Sequence, residues 1–260
     1  MKEDINYTTV TELPGQGIPK EQLQRLYSRY RFAAQFCEGK DVLEVACGGG
    51  MGLGYLAKKT RRVVGTDVDA EILKVPLEYY KDRDNISVTQ MDAHKFLFED
   101  KSFDVVILYE AIYYLENPRE FIKEAWRVLR NDGVLVIGTV NKDWQDFNPS
   151  PFSKRYFSVP ELRDLIKEFF AEVNMFAAFS TKTNSFKDIM VSWVKRLAVK
   201  AHLIPKTMKS KEFLKKVFFG RLRPMPYEIT EGTAAYSEPA SISFQPTKDY
   251  KIIYAVARKV

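Results

Sequence analysis

The chain has 260 residues, of which 45% are hydrophobic and 28% charged, so it is long enough to bury a full core and too apolar to be disordered. Its two cysteines, Cys37 and Cys47, exclude a disulfide framework and point to a reducing, cytoplasmic setting. The amino terminus has no apolar core of a secretory signal, and no run of about 18 apolar residues is available to span a bilayer.

The predicted elements alternate. After an irregular arm with Pro14, Gly15 and Gly17, the apolar spacing of Leu23, Leu26, Tyr27, Tyr30 and Ala34 predicts a helix over 19–36. A short apolar strand at 41–46 runs into a glycine cluster and a helix at 52–60. Strands follow at 62–68, 85–92, 102–110 and 134–140. Between them lie helices at 70–80, which contains Pro76, and at 118–130. Asn131-Asp132-Gly133 reads as a turn before the fifth strand. A polar, aromatic loop occupies 141–157, a helix is predicted from 159 to 170, and 172–179 and 249–258 read as a closing pair of strands. Alternating strands and helices predict a Rossmann-like, doubly wound α/β sheet, mostly parallel with an antiparallel last strand.

Charge is uneven. Between Lys182 and Arg223 there are twelve Lys or Arg against two acids, Asp188 and Glu212, so a basic module interrupts a mildly acidic chain. The expected organisation is a domain formed by 1–180 and 249–260, with a basic helical cap, 181–248, inserted between the last two strands. Three readings of 182–223 stay open. It is the solvated face of a lid, a contact for an anionic substrate or the inner surface of an anionic membrane, or a nucleic-acid surface. Phe213, Leu214, Val217, Phe218 and Phe219 among Lys211, Lys215, Lys216 and Arg221 suit an interfacial helix.

The segment Glu44-Val45-Ala46-Cys47-Gly48-Gly49-Gly50-Met51-Gly52 follows a strand and opens a helix. Glycines there let backbone approach a ligand closely. Asp67 ends the second strand, where an acid can accept both hydroxyls of a ribose. A nicotinamide fingerprint would need a glycine where this chain has Leu53.

The string from Val42 to Gly50 resembles the first motif of the class I S-adenosylmethionine (SAM)-dependent methyltransferases. The resemblance continues through Asp67, Met91-Asp92-Ala93 and residues 102–137. Ala46 stands where that motif usually has its first glycine, so a slightly displaced loop is expected. The resemblance implies SAM as cofactor, with S-adenosylhomocysteine as product. Ala46, Gly48 and Gly50 would pass beneath the methionine part, Asp67 would hold the ribose, and Val68 would pack on the adenine. Asp92 and Ala93 would meet the adenine amino group, and Tyr109 and Glu110 would border the sulfonium. Tyr30 would reach the carboxylate, and Glu44 would order the loop.

Candidates for catalysis are Glu110, Tyr113 and Tyr114, with Asp143 nearby; the two tyrosines can equally form a plain wall. A histidine just after the fourth strand, common among small-molecule relatives, is replaced here by Ala111-Ile112-Tyr113-Tyr114. His94 reads as solvent-facing or structural, and Cys47 as a packed loop residue. Asn148 to Phe152 reads as an acceptor-side loop, with Trp144, Phe147, Tyr156 and Phe157 adding aromatic surface. The expected acceptor is a small molecule, such as a sugar or a lipid-linked or phosphorylated intermediate. RNA methylation, or SAM or nucleic-acid binding without turnover, are the alternatives.

Overall fold

A computed structural model describes residues 11–181 and 222–260. Most of the basic module, 182–221, and its interfacial stretch therefore lie outside the described residues. Seven strands build one sheet: β1 (Asp41–Val45), β2 (Arg62–Asp67), β3 (Ile86–Gln90), β4 (Phe103–Tyr109), β5 (Leu129–Val140), β6 (Glu172–Ser180) and β7 (Tyr250–Arg258). Their order is β3-β2-β1-β4-β5-β7-β6, and a two-residue strand, Ala240–Ser241, adds to the β6 edge. The pairings from β3 through β5 are parallel, whereas β7 runs antiparallel to both β5 and β6.

Five helices flank the sheet: α1 (Lys20–Ala33), α2 (Leu53–Ala57), α3 (Ala70–Tyr79), α4 (Pro118–Val128) and α5 (Val159–Lys167). The apolar strands are buried on both faces because their side chains alternate between two cores. Val42, Val105, Ile107 and Val136 pack with α1, α2 and Leu73 of α3, while Leu43, Val106, Leu108 and Leu135 pack with α4 and α5. Local chemistry sets the helix starts. Asp69 accepts from the backbone N–H of Glu71 at 2.9 Å and of Ile72 at 3.3 Å, and Ser158 and Glu161 form a capping box before α5.

Two local expectations change. Pro19 precedes α1 instead of opening it, with extended backbone at φ −64° and ψ 154°. Asn131-Asp132-Gly133 does not separate helix from strand. It lies inside β5 as an irregularity where the pairing with β4 shifts register, with Asp132 at φ 62°.

The described part of the inserted segment, 222–248, contains no helix and lies along the body of the domain. Arg223–Pro224 pairs with Gly17–Ile18, Met225 and Ile229 are buried, and Glu231 accepts from Tyr27 at 2.6 Å and Tyr55 at 2.8 Å. The N–H of Ile229 donates to the carbonyl of Met51, fastening this strap to the glycine loop.

Candidate functional site

Sheet order reverses between β1 and β4. Ligands of open α/β sheets bind at such a reversal, beyond the carboxyl ends of the strands. A cleft of about 620 Å³ opens there. Its floor is made by the residues following β1, β2 and β4. Ala46 and Gly48 both have positive φ, at 55° each, and the N–H of Gly48 donates to Asp67 Oδ2 at 3.0 Å. The other Asp67 oxygen accepts from the N–H of Asp69 at 3.0 Å. Burial pushes the Asp67 carboxyl above its ordinary range against these two N–H donors.

Of the sequence-predicted cofactor residues, Tyr30, Glu44, Ala46, Gly48, Asp67, Val68, Asp92, Ala93 and Tyr109 all line this cleft. Val68 is 46% exposed, which leaves an apolar face open to a planar ligand. Gly50 is not among the lining residues. At φ 74°, an added Cβ would stand 2.6 Å from Pro76, so this glycine serves the packing of the loop on α3. The Tyr30 hydroxyl is given to Glu44 Oε1 at 2.5 Å, which makes Tyr30 a support for the loop's acid. Glu44 Oε2 is buried and has no hydrogen-bond partner among the described residues. Burial pushes the Glu44 carboxyl up to about 7, opposed by the Tyr30 hydroxyl and Arg29 and reinforced by Asp67.

His94 has a structural place. Its Nδ1 lies 2.6 Å from Asp92 Oδ1, and its Nε2 accepts from the N–H of Asn117 at 3.2 Å. That pair of partners holds the turn after β3 to the start of α4. Cys47 is buried within the loop, as is Cys37 below α1.

The catalytic candidates converge. Glu110 follows β4 with φ 53°, is half-buried in the cleft wall, and accepts from the Tyr113 hydroxyl at 3.2 Å. Burial raises its carboxyl, against the pull of Arg29 and Arg25. The Tyr113 ring stacks on Tyr156, with centroids 4.6 Å apart, so one phenol both packs and hydrogen-bonds. Tyr114 lines the cleft beside it. Asp143 and the Asn148–Phe152 loop do not line the cleft, although Trp144 and Lys154 around them do.

Sequence reasoning missed the polar stripe of α1. Gln22, Arg25 and Arg29 recur at three- and four-residue spacing and all face the cleft, as does Glu21. Arg29 pairs with Glu12 at 3.2 Å and stands over the Tyr30 ring at 5.5 Å. The signal was present as a polar stripe beside the apolar one, but only the fold turns it toward the strand ends. Among the described residues, no cluster of His, Cys, Asp or Glu is fit to hold a metal ion, and no helix is long and apolar enough to cross a membrane.

Residues 43–137 match the family described as "Methyltransferase domain". A "Probable S-adenosylmethionine-dependent methyltransferase" of Mycolicibacterium smegmatis is 31% identical over 160 residues, covering 60% of this chain and 61% of that one. A fatty-acid O-methyltransferase of the same organism is 36% identical over 135 residues, 48% of each chain. The chain thus spans about three fifths or less of the length of these relatives. The solved structure of a SAM-dependent methyltransferase from Thermotoga maritima superposes with a TM-score of 0.59 at 16% identity, covering 92% of both chains, a likeness of fold.

Proposed function

Since the chain belongs to the class I SAM-dependent methyltransferases, we propose that it transfers a methyl group from SAM to a small-molecule acceptor, with both bound in the cleft at the β1/β4 reversal. One observation carries this reading: the left-handed loop after β1, Asp67, Asp92 and the Glu110–Tyr113 pair open into a single cavity. The fit to the cofactor rests on the same geometry. Asp67, already oriented by two backbone N–H groups, stands where a ribose diol would bind, and Val68 offers the adenine a face. Asp92 and Ala93 line the far end. The unpartnered Glu44 Oε2 suits the ammonium of the methionine part.

SAM supplies an electrophilic methyl carbon on a sulfonium. The protein's part is to position, exclude water and manage a proton. Glu110 is the group placed to take a proton from the acceptor, and Tyr113 orients its carboxylate. The fatty-acid and ubiquinone-biosynthesis O-methyltransferases among the relatives favour an oxygen acceptor on a lipid-like or aromatic molecule. The aromatic wall of Tyr113, Tyr114 and Trp144 supports the same reading.

Calorimetric titration with SAM and S-adenosylhomocysteine tests the reading. Wild type is expected to bind both, and Asp67→Ala to weaken both about a hundredfold through loss of two charge-assisted hydrogen bonds. A well-folded wild type that binds neither refutes the proposal.

A further inference from the structure

The cleft has two halves, and the second has a chemistry of its own. Asp67 and Asp92 stand over β2 and β3, on one side of the reversal. Lys251 and Trp144 come from the start of β7 and the segment after β5, on the other side. Arg25 belongs with them, because its guanidinium stands 5.6 Å over the ring of Phe179 in β6.

In this half, two cations share one oxygen of a single carboxylate. Arg25 Nη2 lies 2.6 Å and Lys251 Nζ 2.8 Å from Glu21 Oε1. Glu21 is shared by both cations, and Arg25 also acts on Glu110, so the cluster sets two cations in the cleft wall between carboxylates on α1 and after β4. Lys251 Nζ also lies 5.7 Å from the Trp144 ring centroid, which sets the ammonium against an aromatic surface. Two buried N–H donors here, Arg25 Nε and Trp144 Nε1, make no hydrogen bond among the described residues. Buried donors are normally satisfied, so an orphan pair in a cleft wall marks the place of a missing acceptor atom. All four side chains line the cavity.

We propose that Arg25, Lys251 and Trp144 form an anion-recognition pole, so that the acceptor molecule carries a carboxylate or phosphate group held at the β7 side of the cleft. The proposal rests on the methyltransferase reading for the word acceptor, and on the cation–carboxylate geometry for the anion. Glu21 holds the two cations in place in the free protein and yields them in part to the incoming anion. Charge recognition is thereby assigned to α1 and β7.

The test is calorimetric titration of the full chain, saturated with S-adenosylhomocysteine, with three probes on one scaffold: benzoate, phenyl phosphate and benzamide. Benzoate or phenyl phosphate is expected to bind at least about tenfold more tightly than neutral benzamide, the size of a charge-assisted hydrogen bond. The tighter of the two anions identifies the group as carboxylate or phosphate. Arg25→Gln and Lys251→Gln are each expected to weaken the anion by about tenfold and leave S-adenosylhomocysteine binding unchanged. Glu21→Gln removes the competing carboxylate and should tighten the anion, a gain that partial unfolding cannot imitate. Benzamide binding as tightly as the anions overturns the proposal, as does the absence of binding by any probe. So does anion affinity indifferent to both cation variants. A parallel loss of S-adenosylhomocysteine assigns the pole to the cofactor and also overturns it. If wild type fails to bind S-adenosylhomocysteine, the methyltransferase reading falls separately, and the probe titrations on the free protein still decide whether the anion pole exists.

Discussion

Replacing Glu44 by Gln gives the clearest physical test of the cleft floor. Glu44 is 1% exposed, its Oε1 is held by Tyr30 and its Oε2 has no partner among the described residues. Burial lifts its carboxyl from 4.5 to about 7. A carboxyl whose folded value is raised binds its proton more tightly in the native state than in the unfolded one. Its stabilising effect is therefore complete below pH 4.5 and is lost as pH rises through about 7. At 1.36 kcal/mol per unit, the loss approaches about 3 kcal/mol by pH ~8. Glutamine mimics the protonated acid and does not titrate. The difference in stability between Glu44→Gln and wild type should thus be small near pH ~5 and grow in favour of the variant by about 3 kcal/mol at pH ~8, or roughly 10 °C in Tm. Thermal melts of both proteins across that range read it directly. An ammonium-bearing ligand such as S-adenosylhomocysteine should offset the charge. Its stabilisation of wild type should accordingly grow with pH, and that of the variant should stay flat. Parallel melting curves for wild type and variant at every pH would mean that Glu44 is as comfortable ionised in the fold as outside it, and that its carboxyl is not raised.

Other expectations follow from the same coordinates. Ala46→Gly relieves a left-handed alanine at φ 55° and should raise stability by about 1 kcal/mol in urea titration; an unchanged midpoint would mean the loop conformation costs nothing. Gly52→Ala places a Cβ 1.9 Å from the Tyr30 ring and should cost about 3 kcal/mol. Most of that loss should disappear in a Tyr30→Ala background, and additivity of the two changes would show that the clash is not the cause. Tyr113→Phe leaves Glu110 without its hydroxyl partner and should lower kcat by about tenfold with KM nearly unchanged. A rise in KM alone would make Tyr113 a wall of the acceptor site only.

Much of the fold was legible because its signals are local. Apolar runs at 41–46, 102–110 and 134–140 read as strands buried on both faces, and the structure buries β1 and β4 almost throughout. Asp67 was singled out by its place at a strand end and Asp92 by the resemblance, and both line the cleft. Signals that depend on distant partners were not. Asn131-Asp132-Gly133 has turn chemistry, but Asp132 N–H donates to the carbonyl of Lys259 at 2.7 Å and Lys259 N–H to that of Gly133 at 2.9 Å, so tertiary pairing holds the segment in the sheet. Gly50 looked like a ligand glycine, and only the position of Pro76 shows what its missing Cβ makes room for. The return segment 222–248 read as cap because its burial depends on Tyr27 and Tyr55, two phenols far away in the chain that converge on Glu231. Arg25 and Lys251 meet only because α1 crosses the start of β7.

Among the described residues, two of the five left-handed non-glycine residues line the cleft. Two neighbouring parallel strands, β1 and β4, are each followed by a non-glycine residue with left-handed backbone, Ala46 at φ 55° and Glu110 at φ 53°. Such a conformation costs an L-residue about 1–2 kcal/mol. Both residues turn the chain sharply at the same point of the sheet. Turning there lets Cys47 N–H bond back to the carbonyl of Thr66 at 2.8 Å, and Glu110 N–H to that of Gly138 at 2.9 Å, so each strand ends with its backbone satisfied by the next strand over. The cleft floor then needs few side chains to hold its shape. Glu44 and Glu110 are consequently brought into the cavity by backbone geometry, each with one phenol as partner, Tyr30 and Tyr113. The two carboxyls differ in burial, Glu44 being 1% exposed and Glu110 half-buried, and they differ in surroundings. Glu44 lies beneath the glycine loop beside Asp67, where the proposed reading puts the cofactor's ammonium, and Glu110 faces the aromatic wall, where it puts the proton to be removed. On the proposed reading, cofactor side and acceptor side are thus divided by position in the sheet, Glu44 lying near the end of β1 and Glu110 directly after β4.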